Sequence, residues 1–351
     1  MENKDTKKNP LSLQLDVSDF LPAEDSEKES LVVMRESRSF FKDGMYKLFH
    51  NPVAVGAIIV LALVMIYAFI LPVFWPYSYE QQIRGSEKLA PMQYSATELE
   101  LIDAGEKVFP HFLGTDTLGR DYMVRTMIGA RISITVGVVA SVLILLIGSV
   151  YGACAGYFGG KVDMIMMRIV DVIYTVPDTI IIILLAVTMK DPIKSFAAKF
   201  HVEWIEKIGV NMICIFVVFA LLYWVGMARI VRGQVLIIKE QEFVTAAKAL
   251  GAKSGRIIRK HLLTNCIGTL IVTTTLQIPS SIFTESFLSF IGLGVNAPMP
   301  SLGSLASDAI DGIRTYPYRL MAPALLISLI ILAFNLLGDG LRDAFDPKLK
   351  K

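Results

Sequence analysis

Six long apolar runs constrain the fold of this chain more than any other feature of its sequence. They lie at residues 47–80, 131–161, 162–189, 208–228, 262–284 and 320–338. A helix that crosses the hydrocarbon core of a bilayer needs about 20 apolar residues, and each run is about that long or longer. With 54% hydrophobic residues and a mean hydropathy of +0.55, the chain is too apolar for a water-soluble protein of 351 residues. Because lipid offers no partners to backbone N–H and C=O groups, the sequence predicts an all-α integral membrane protein with six transmembrane helices.

The basic residues predict the orientation in the membrane, because cytoplasmic ends of transmembrane helices carry an excess of Lys and Arg. With a cytoplasmic N-terminus, most of the 34 basic residues fall on cytoplasmic segments, so both termini are predicted to lie inside. The formal net charge of +2 gives no reason to expect nucleic acid as a partner. The predicted order is a polar cytoplasmic tail (1–46), a first transmembrane helix (47–76), an extracellular segment (77–130), a five-helix core (131–341) with a cytoplasmic loop (232–261), and a cytoplasmic tail (342–351).

The N-terminal tail gives no sign of a signal peptide, and the cysteines give no sign of a disulfide framework or a metal site. Residues 1–46 mix Lys and Glu and lack the apolar core and cleavage site of a signal peptide, which favours a flexible tail. Cys154, Cys214 and Cys266 lie in or beside apolar runs without a close pair. Neither a disulfide framework nor a metal site is therefore predicted.

Enzymatic motifs are missing from the chain. The nearest approach to a phosphate loop is "AGYFGGKV", in which Ala155 replaces the first glycine of G-x-x-x-x-G-K-[ST] and Val162 replaces the hydroxyl residue. We therefore expect no ATP site, no other cofactor and no catalytic residue in this chain. Gly156, Gly159 and Gly160 are expected instead to form a tight cytoplasmic turn between the second and third helices.

One polar cluster, "HFLGTDTLGRD", lies before the second apolar run and contains His111, Asp116 and Asp121. These residue types are metal ligands, but Asp and Gly at such spacings also form turns and helix caps. We favour a structured element just before the second transmembrane helix, with a metal site as the alternative.

Charges and prolines inside the apolar runs are candidates for functional positions. Arg168 and Asp171 are three residues apart on one helix, so either they pair with each other or they serve transport. Glu285 has no partner visible in the sequence and either faces a pathway or bonds a neighbouring helix. Pro177 and Pro279 are expected to kink the third and fifth helices, as in a protein that encloses a cavity and moves.

The stretch "EFVTAAKALGA" in the basic loop predicts a short helix with a face of small residues. Phe243, Ala246, Ala247 and Leu250 fall at i, i+3, i+4 and i+7, so they share one side. Gly251 suits the left-handed turn that ends such a helix, and Ser254 suits the cap of the next one. A helix that lies on anionic lipid explains the basic residues. A helix that docks in a groove of a cytoplasmic partner explains the small residues as well.

These residues carry a family resemblance. "TAAKALG" followed by "HLLT" resembles the cytoplasmic loop motif of binding-protein-dependent ABC import permeases, E-A-A, three residues, Gly, nine residues, I-x-L-P. Ala246, Ala247, Gly251 and Leu263 match it, whereas Thr245, His261 and Thr264 depart from it. Five further stretches resemble the second membrane subunit of oligopeptide, dipeptide and nickel importers: "HFLGTDTLGRDYMVRTMIGARIS", "GYFGGKVDMIMMRIVDVIYTVP", "ARIVRGQVL", "ESFLSFIGLGVNAPMPSLG" and "LAFNLLGDGLRDAFDPK". Leu302 stands where the family usually has Trp.

The resemblance implies a type I ABC importer permease fold and half of a heterodimeric pore in a bacterial plasma membrane. The partners it implies are a homologous second permease, two cytoplasmic ATPases that bind ATP and Mg²⁺, and an extracellular binding protein. It also assigns contact with the ATPases to the loop helix, through Glu242, Phe243, Ala246, Ala247, Leu250 and Gly251. The expected cargo is an oligopeptide or dipeptide, with nickel as the alternative.

Two functions of other classes remain as hypotheses from the residues. A secondary transporter or channel would use the intramembrane charges as its pathway and need no ATPase. A membrane anchor would assemble partners without moving a substrate.

Overall fold

The computed structural model describes residues 40–200, 209–295 and 299–345, and these are almost entirely helical. Within them the only β contact is an isolated antiparallel bridge between Thr115 and Asp121, so the prediction of an all-α protein is confirmed. Most of the two predicted tails lies outside the described residues. The labelled helices are α1 Phe40–His50, α2 Pro52–Phe74, α3 Ala96–Asp103, α4 Tyr122–Phe158, α5 Gly160–Thr175, α6 Asp178–Thr188, α7 Lys190–Phe200, α8 Val210–Leu222, α9 Trp224–Ile238, α10 Glu242–Ala249, α11 Ile267–Phe290, α12 Leu302–Asp308 and α13 Pro317–Phe345. Between α10 and α11, residues 254–265 form a further helical segment that includes a π-helical turn.

In the part of the chain that the structure describes, five helices are long and apolar enough to cross a membrane: α2, α4, α8 with α9, α11 and α13. The run of residues 162–189 does not form one straight helix, because the chain bends by 90° between α5 and the helices that follow it. The break lies at Val176 and Pro177, where Val176 has the extended backbone that a following proline imposes. Counted as one broken span, this pair completes the predicted six. Pro279, in contrast, lies inside α11, which continues through it.

Helix α4 starts well before the apolar run that predicts it. It begins at Tyr122, where the Asp121 carboxylate accepts the N–H of Val124 at 2.9 Å and caps the first turn. The helix therefore contains Arg125 and Arg131, and the boundary expected at Arg131 falls within it. Hydropathy misses this start because Arg125 and Arg131 interrupt the apolar pattern, although both lie inside the helix.

Glycines let α4 pack closely against its neighbours. Gly148, Gly152 and Gly156 recur every four residues on the side that faces α9. A Cβ placed on Gly152 would lie 2.3 Å from the carbonyl oxygen of Ala228, so the two backbones almost touch. On another side of α4, a Cβ on Gly137 would lie 2.4 Å from Ile282 of α11. In a membrane, where lipid is as apolar as leucine, such small-residue contacts hold helices together through close van der Waals packing.

An irregular turn in α2 is completed by a side chain of α4. Residues Ile66–Ile70 form a π-helical turn, and Pro72 has no N–H to give to the carbonyl of Ala68 four residues earlier. The guanidinium of Arg131 donates from Nε to Ala68 O at 2.9 Å and from Nη2 to Phe69 O at 3.3 Å. Arg131 therefore satisfies backbone groups of the first span from the second.

Candidate functional site

Helix α10 in the basic loop ends as its sequence predicts. Its acidic first residue, Glu242, and its basic Lys248 near the end both suit the helix dipole. At the C-terminus, Gly251 has a φ of +80° and donates to Lys248 O at 2.9 Å, while Ala252 donates to Ala247 O at 3.0 Å. This pair of bonds is the Schellman arrangement, and the left-handed φ is the reason that glycine is suited to position 251.

The two faces of α10 differ sharply in exposure. Val244 is fully buried and belongs to the same apolar cluster as Ile257 and Leu262 of the following segment, residues 254–265. Ala247 lies on this inner face and is only 9% exposed. The prediction that Ala247 shares one side of the helix with the exposed residues Phe243 and Leu250 is therefore wrong. Its small side chain lets α10 pack on its own loop.

The outward side of α10 is formed by the other predicted residues. Glu242, Ala246 and Gly251 are exposed, and Leu250 is 88% exposed. Phe243 is 42% exposed and lies at the edge, with its ring centroid 6.4 Å from that of His261. A leucine this exposed, beside an alanine and a glycine, forms a shallow apolar surface on an otherwise basic loop.

Contacts with the end of α4 hold this loop to the helices. Lys239 Nζ donates to Gly156 O at 3.1 Å, and the Tyr157 hydroxyl donates to Ser254 Oγ at 3.4 Å. Ser254 thus bonds a tyrosine and does not cap the next helix, whose cap position is Lys253. The ring of Tyr157 also lies 5.6 Å from the ammonium of Lys248. The end of α4 therefore positions the loop.

The turn predicted between α4 and α5 is formed by two of its three expected glycines. Gly156 lies inside α4, while Gly159 and Gly160 have φ angles of +64° and +54° at the start of α5. The stretch "AGYFGGKV" is therefore mostly helical, with the junction at its two glycines of positive φ.

Two ion pairs join α9 to α5, and the sequence prediction missed both. Asp171 Oδ1 pairs with Arg229 Nη2 at 2.9 Å, and the Arg229 guanidinium also lies 4.3 Å from the Tyr174 ring centroid. The alternative in which Arg168 pairs with Asp171 is therefore wrong: Arg168 is exposed and forms no ion pair among the described residues. Asp163 and Arg232 form a second, two-pronged pair. The signal in the sequence was two acids on α5 and two arginines on α9, but their pairing depends on helix packing.

Glu285 lies in a serine-lined network between helices. It is fully buried, and its carboxylate accepts Ser133 Oγ of α4 at 2.7 Å and Ser289 Oγ at 2.7 Å. Ser286 Oγ donates to it at 3.3 Å. The network continues to the first residue of α12, because Ser133 Oγ accepts the N–H of Leu302 at 3.3 Å. Glu285 thus joins α11 to α4 and α12 through hydrogen bonds.

The polar cluster before α4 is an ordered, hydrogen-bonded element. His111 is completely buried, with Nδ1 2.8 Å from Asp121 Oδ2 and Nε2 3.0 Å from Glu98 Oε1. The Tyr77 ring stacks on the imidazole at 4.5 Å. Asp116 accepts the N–H groups of Leu118 and Arg120, as expected of a turn residue. Both ring nitrogens of His111 therefore bond to carboxylates. Asp116 forms a turn and Asp121 caps α4, as the sequence predicts.

The charges around His111 shift its pKa. Burial by itself lowers the pKa of His111, but hydrogen bonds to Asp121 and Glu98 outweigh this and hold it above its usual range. Burial raises the pKa of Glu98, but hydrogen bonds from Ser95 and His111 outweigh this and hold it below its usual range. Burial and the same two carboxylates raise the pKa of Tyr77 to about 12. The cluster therefore favours an imidazolium between two carboxylates.

Comparison with known proteins places these features in a family. Residues 144–351 match the model of the binding-protein-dependent transport system inner membrane component, and residues 39–91 match that of the N-terminal transmembrane domain of oligopeptide transport permease C. The oligopeptide transport system permease protein OppC of Bacillus subtilis is 40% identical over 95% of this chain and 97% of its own length. The dipeptide transport system permease protein DppC of the same organism is 43% identical over 95% and 93%.

A relative from a second organism shows the same relationship. OppC of Haemophilus influenzae is 39% identical over 89% of this chain and 90% of its own length. The first family model covers more than half of the chain, and the similarity to these relatives covers nearly all of it. The chain therefore belongs to the binding-protein-dependent transport system inner membrane component family.

Proposed function

We propose that this chain forms half of the pore of an ATP-driven, binding-protein-dependent peptide importer in a bacterial plasma membrane. The other half is a homologous permease, and two cytoplasmic ATPases bind ATP and Mg²⁺. An extracellular binding protein delivers an oligopeptide or dipeptide. The names of the relatives, OppC and DppC, support the peptide cargo.

The proposal that α10 couples the permease to the ATPases rests on the exposed, outward side of this helix. Its Leu250 is 88% exposed, whereas Val244 and Ala247 already hold the helix to its own loop. A helix held on one side and open on the other suits a rigid contact with a cytoplasmic partner. Glu242, Phe243, Ala246, Leu250 and Gly251 are the proposed contact residues, and Ala247 is proposed to support them from behind.

The proposed mechanism is alternating access. ATP can favour one pore conformation only if the complex binds ATP with different affinity in the two conformations. Movement of the ATPases would be transmitted through α10 to the end of α4 by the Lys239, Tyr157 and Lys248 contacts. The ion pairs between α5 and α9 would transmit this movement to the neighbouring helices. Both termini and the loop of α10 are proposed to be cytoplasmic, so that α10 faces the ATPases.

Reconstitution tests this function. The chain is co-expressed with its partner permease and ATPases, purified and placed in liposomes with binding protein and a labelled peptide. We expect stoichiometric ATPase subunits and uptake that requires ATP. The chain purified alone should neither bind nor hydrolyse ATP. Uptake without ATPases would favour a secondary transporter, and a stable complex without any uptake would favour a membrane anchor.

A further inference from the structure

A small, partly open cavity lies beside the polar cluster, between the turn that precedes α4, α12 and the start of α13. Its volume is about 20 Å³, enough for one water molecule or one monatomic ion. Its charged lining consists of Asp116, Arg120, Arg125, Asp308 and Arg319. Three guanidinium groups thus face two carboxylates, which leaves one positive charge without a counterion among these side chains.

Each buried arginine of this cavity has at least one N–H group without an acceptor in the part of the chain that the structure describes. Arg125 is 4% exposed, and its Nε and Nη1 have no hydrogen-bond partner among the described residues. Arg319 is 5% exposed, and its Nε is also without a partner, although its Nη2 donates to Thr115 O at 2.6 Å. A buried guanidinium with unused N–H groups is unfavourable unless something in the site accepts them.

The nearby carboxylates do not supply the missing acceptor. Asp116 already accepts two backbone N–H groups and Arg120 Nε, and it lies 3.4 Å from Arg125 Nε without a hydrogen bond. Asp308 is 3.9 Å from Arg125 Nη2, and its side chain is 66% exposed to solvent. A water molecule would accept some N–H groups but would leave the charge uncompensated.

We propose that this cavity binds a small monovalent anion, chloride under ordinary conditions. A halide accepts several N–H groups at once, carries the one negative charge required and fits a space of about 20 Å³. The anion joins Arg125 of α4 to Arg319 of α13 and so fixes the segment before α4 to the last helix. The proposal does not depend on the nature of the transported cargo.

Bromide tests the site directly, because it replaces chloride and scatters anomalously. Crystals of the full-length protein, grown within its complex if needed, are soaked in bromide. We expect an anomalous peak between Arg125 and Arg319. Thermal unfolding in nanodiscs gives a second measure: the Tm should rise by a few degrees, and saturate, as chloride replaces gluconate at constant ionic strength.

Matched variants separate this site from general salt effects. Arg125→Gln should lose the chloride dependence, whereas Arg84→Gln, which changes an exposed arginine of the same segment, should keep it. If Arg125→Gln does not fold, Arg319→Gln replaces it. A bromide map with no peak in the cavity would overturn the proposal. So would a chloride effect of equal size in the wild type and the cavity variant.

Discussion

Ala246 and Ala247 carry the same side chain in opposite surroundings, which allows a direct test of coupling. Ala246 points outward from α10, so Ala246→Glu should leave the amount of permease in the membrane unchanged. If a partner packs on this surface, burial of an unpaired carboxylate costs about 3–5 kcal/mol and weakens binding by orders of magnitude. We expect loss of ATPase association in pull-downs and loss of peptide uptake.

Two control variants show whether the loss of uptake in Ala246→Glu arises from a lost contact with a partner. Ala247 is buried on the inner side of α10, so Ala247→Glu should increase hydrogen exchange across residues 242–262 even without partners. Lys253→Glu alters an exposed residue beyond the helix and should be mild. Normal uptake in Ala246→Glu would instead support α10 as a helix that lies on the lipid surface.

Glu285→Gln tests whether this residue only joins helices. Glutamine keeps the shape and one oxygen acceptor for Ser133 or Ser289. We expect a modest loss of stability, about 0.6 kcal/mol, which is typical of hydrogen bonds in membranes, and transport close to normal. Complete loss of uptake in a normally assembled complex would place the charge of Glu285 on the transport pathway.

His111 should make the stability of the segment before α4 depend on pH. Its pKa is raised in the folded protein, so protonation stabilises the fold. This stabilisation is fully present below the unfolded pKa of about 6.5 and is lost as pH rises through the folded pKa. Amide protection factors around Glu98 and Asp121 should therefore fall at alkaline pH. In His111→Gln they should be lower and flat across this range; an equally steep fall there would rule out His111 as the cause.

At the residue scale, local spacing predicts contacts within a helix and misses those between helices. It predicted the Gly251 turn, because the preference of glycine for positive φ is a local property. It also proposed the pair of Arg168 with Asp171, whereas the true partner, Arg229, is on another helix. The bond from Ser133 to Glu285 was missed for the same reason, since Ser133 lies on α4, far away in the chain.

At the scale of elements, the glycine contact between α4 and α9 gives a matched pair of substitutions. Gly152→Ala adds a methyl group where Ala228 O would be 2.3 Å away, so the helices must separate. Overpacking of this kind costs about 1–3 kcal/mol. We expect a lower Tm of the purified protein and less folded material. Gly226→Ala on α9 has open space and should change stability by less than about 1 kcal/mol. Equal effects of the two would show that this contact is not close-packed.

The existence of the helices was more predictable than their ends and directions. Apolar runs longer than the bilayer is thick indicate helices directly. The 90° turn at Pro177 could not be read from them, because proline allows a kink, a break or a full change of direction. The start of α4 at Tyr122 was missed because its capping residue, Asp121, lies within a polar cluster that hydropathy excludes from the span.

At the scale of the whole molecule, cysteine labelling tests the proposed topology. In a background without Cys154, Cys214 and Cys266, Glu106→Cys and Lys253→Cys place one reporter on each proposed side. Both residues are exposed, whereas Ser95 is buried in its helix cap and would be a poor reporter. An impermeant maleimide should label only position 106 in intact cells and both positions in lysed cells. The reverse pattern in intact cells would invert the orientation.

The junction between Arg131 and the π-helical turn of α2 bears on how the chain is made. The first span emerges from the ribosome before the second, and Pro72 cannot provide the N–H that Ala68 O would use in a regular helix. In hydrocarbon an unsatisfied carbonyl costs several kcal/mol. The newly inserted first span therefore gains stability when the second span arrives with its guanidinium. The first span is therefore expected to be held more firmly in lipid once the second span has been made and Arg131 bonds to it.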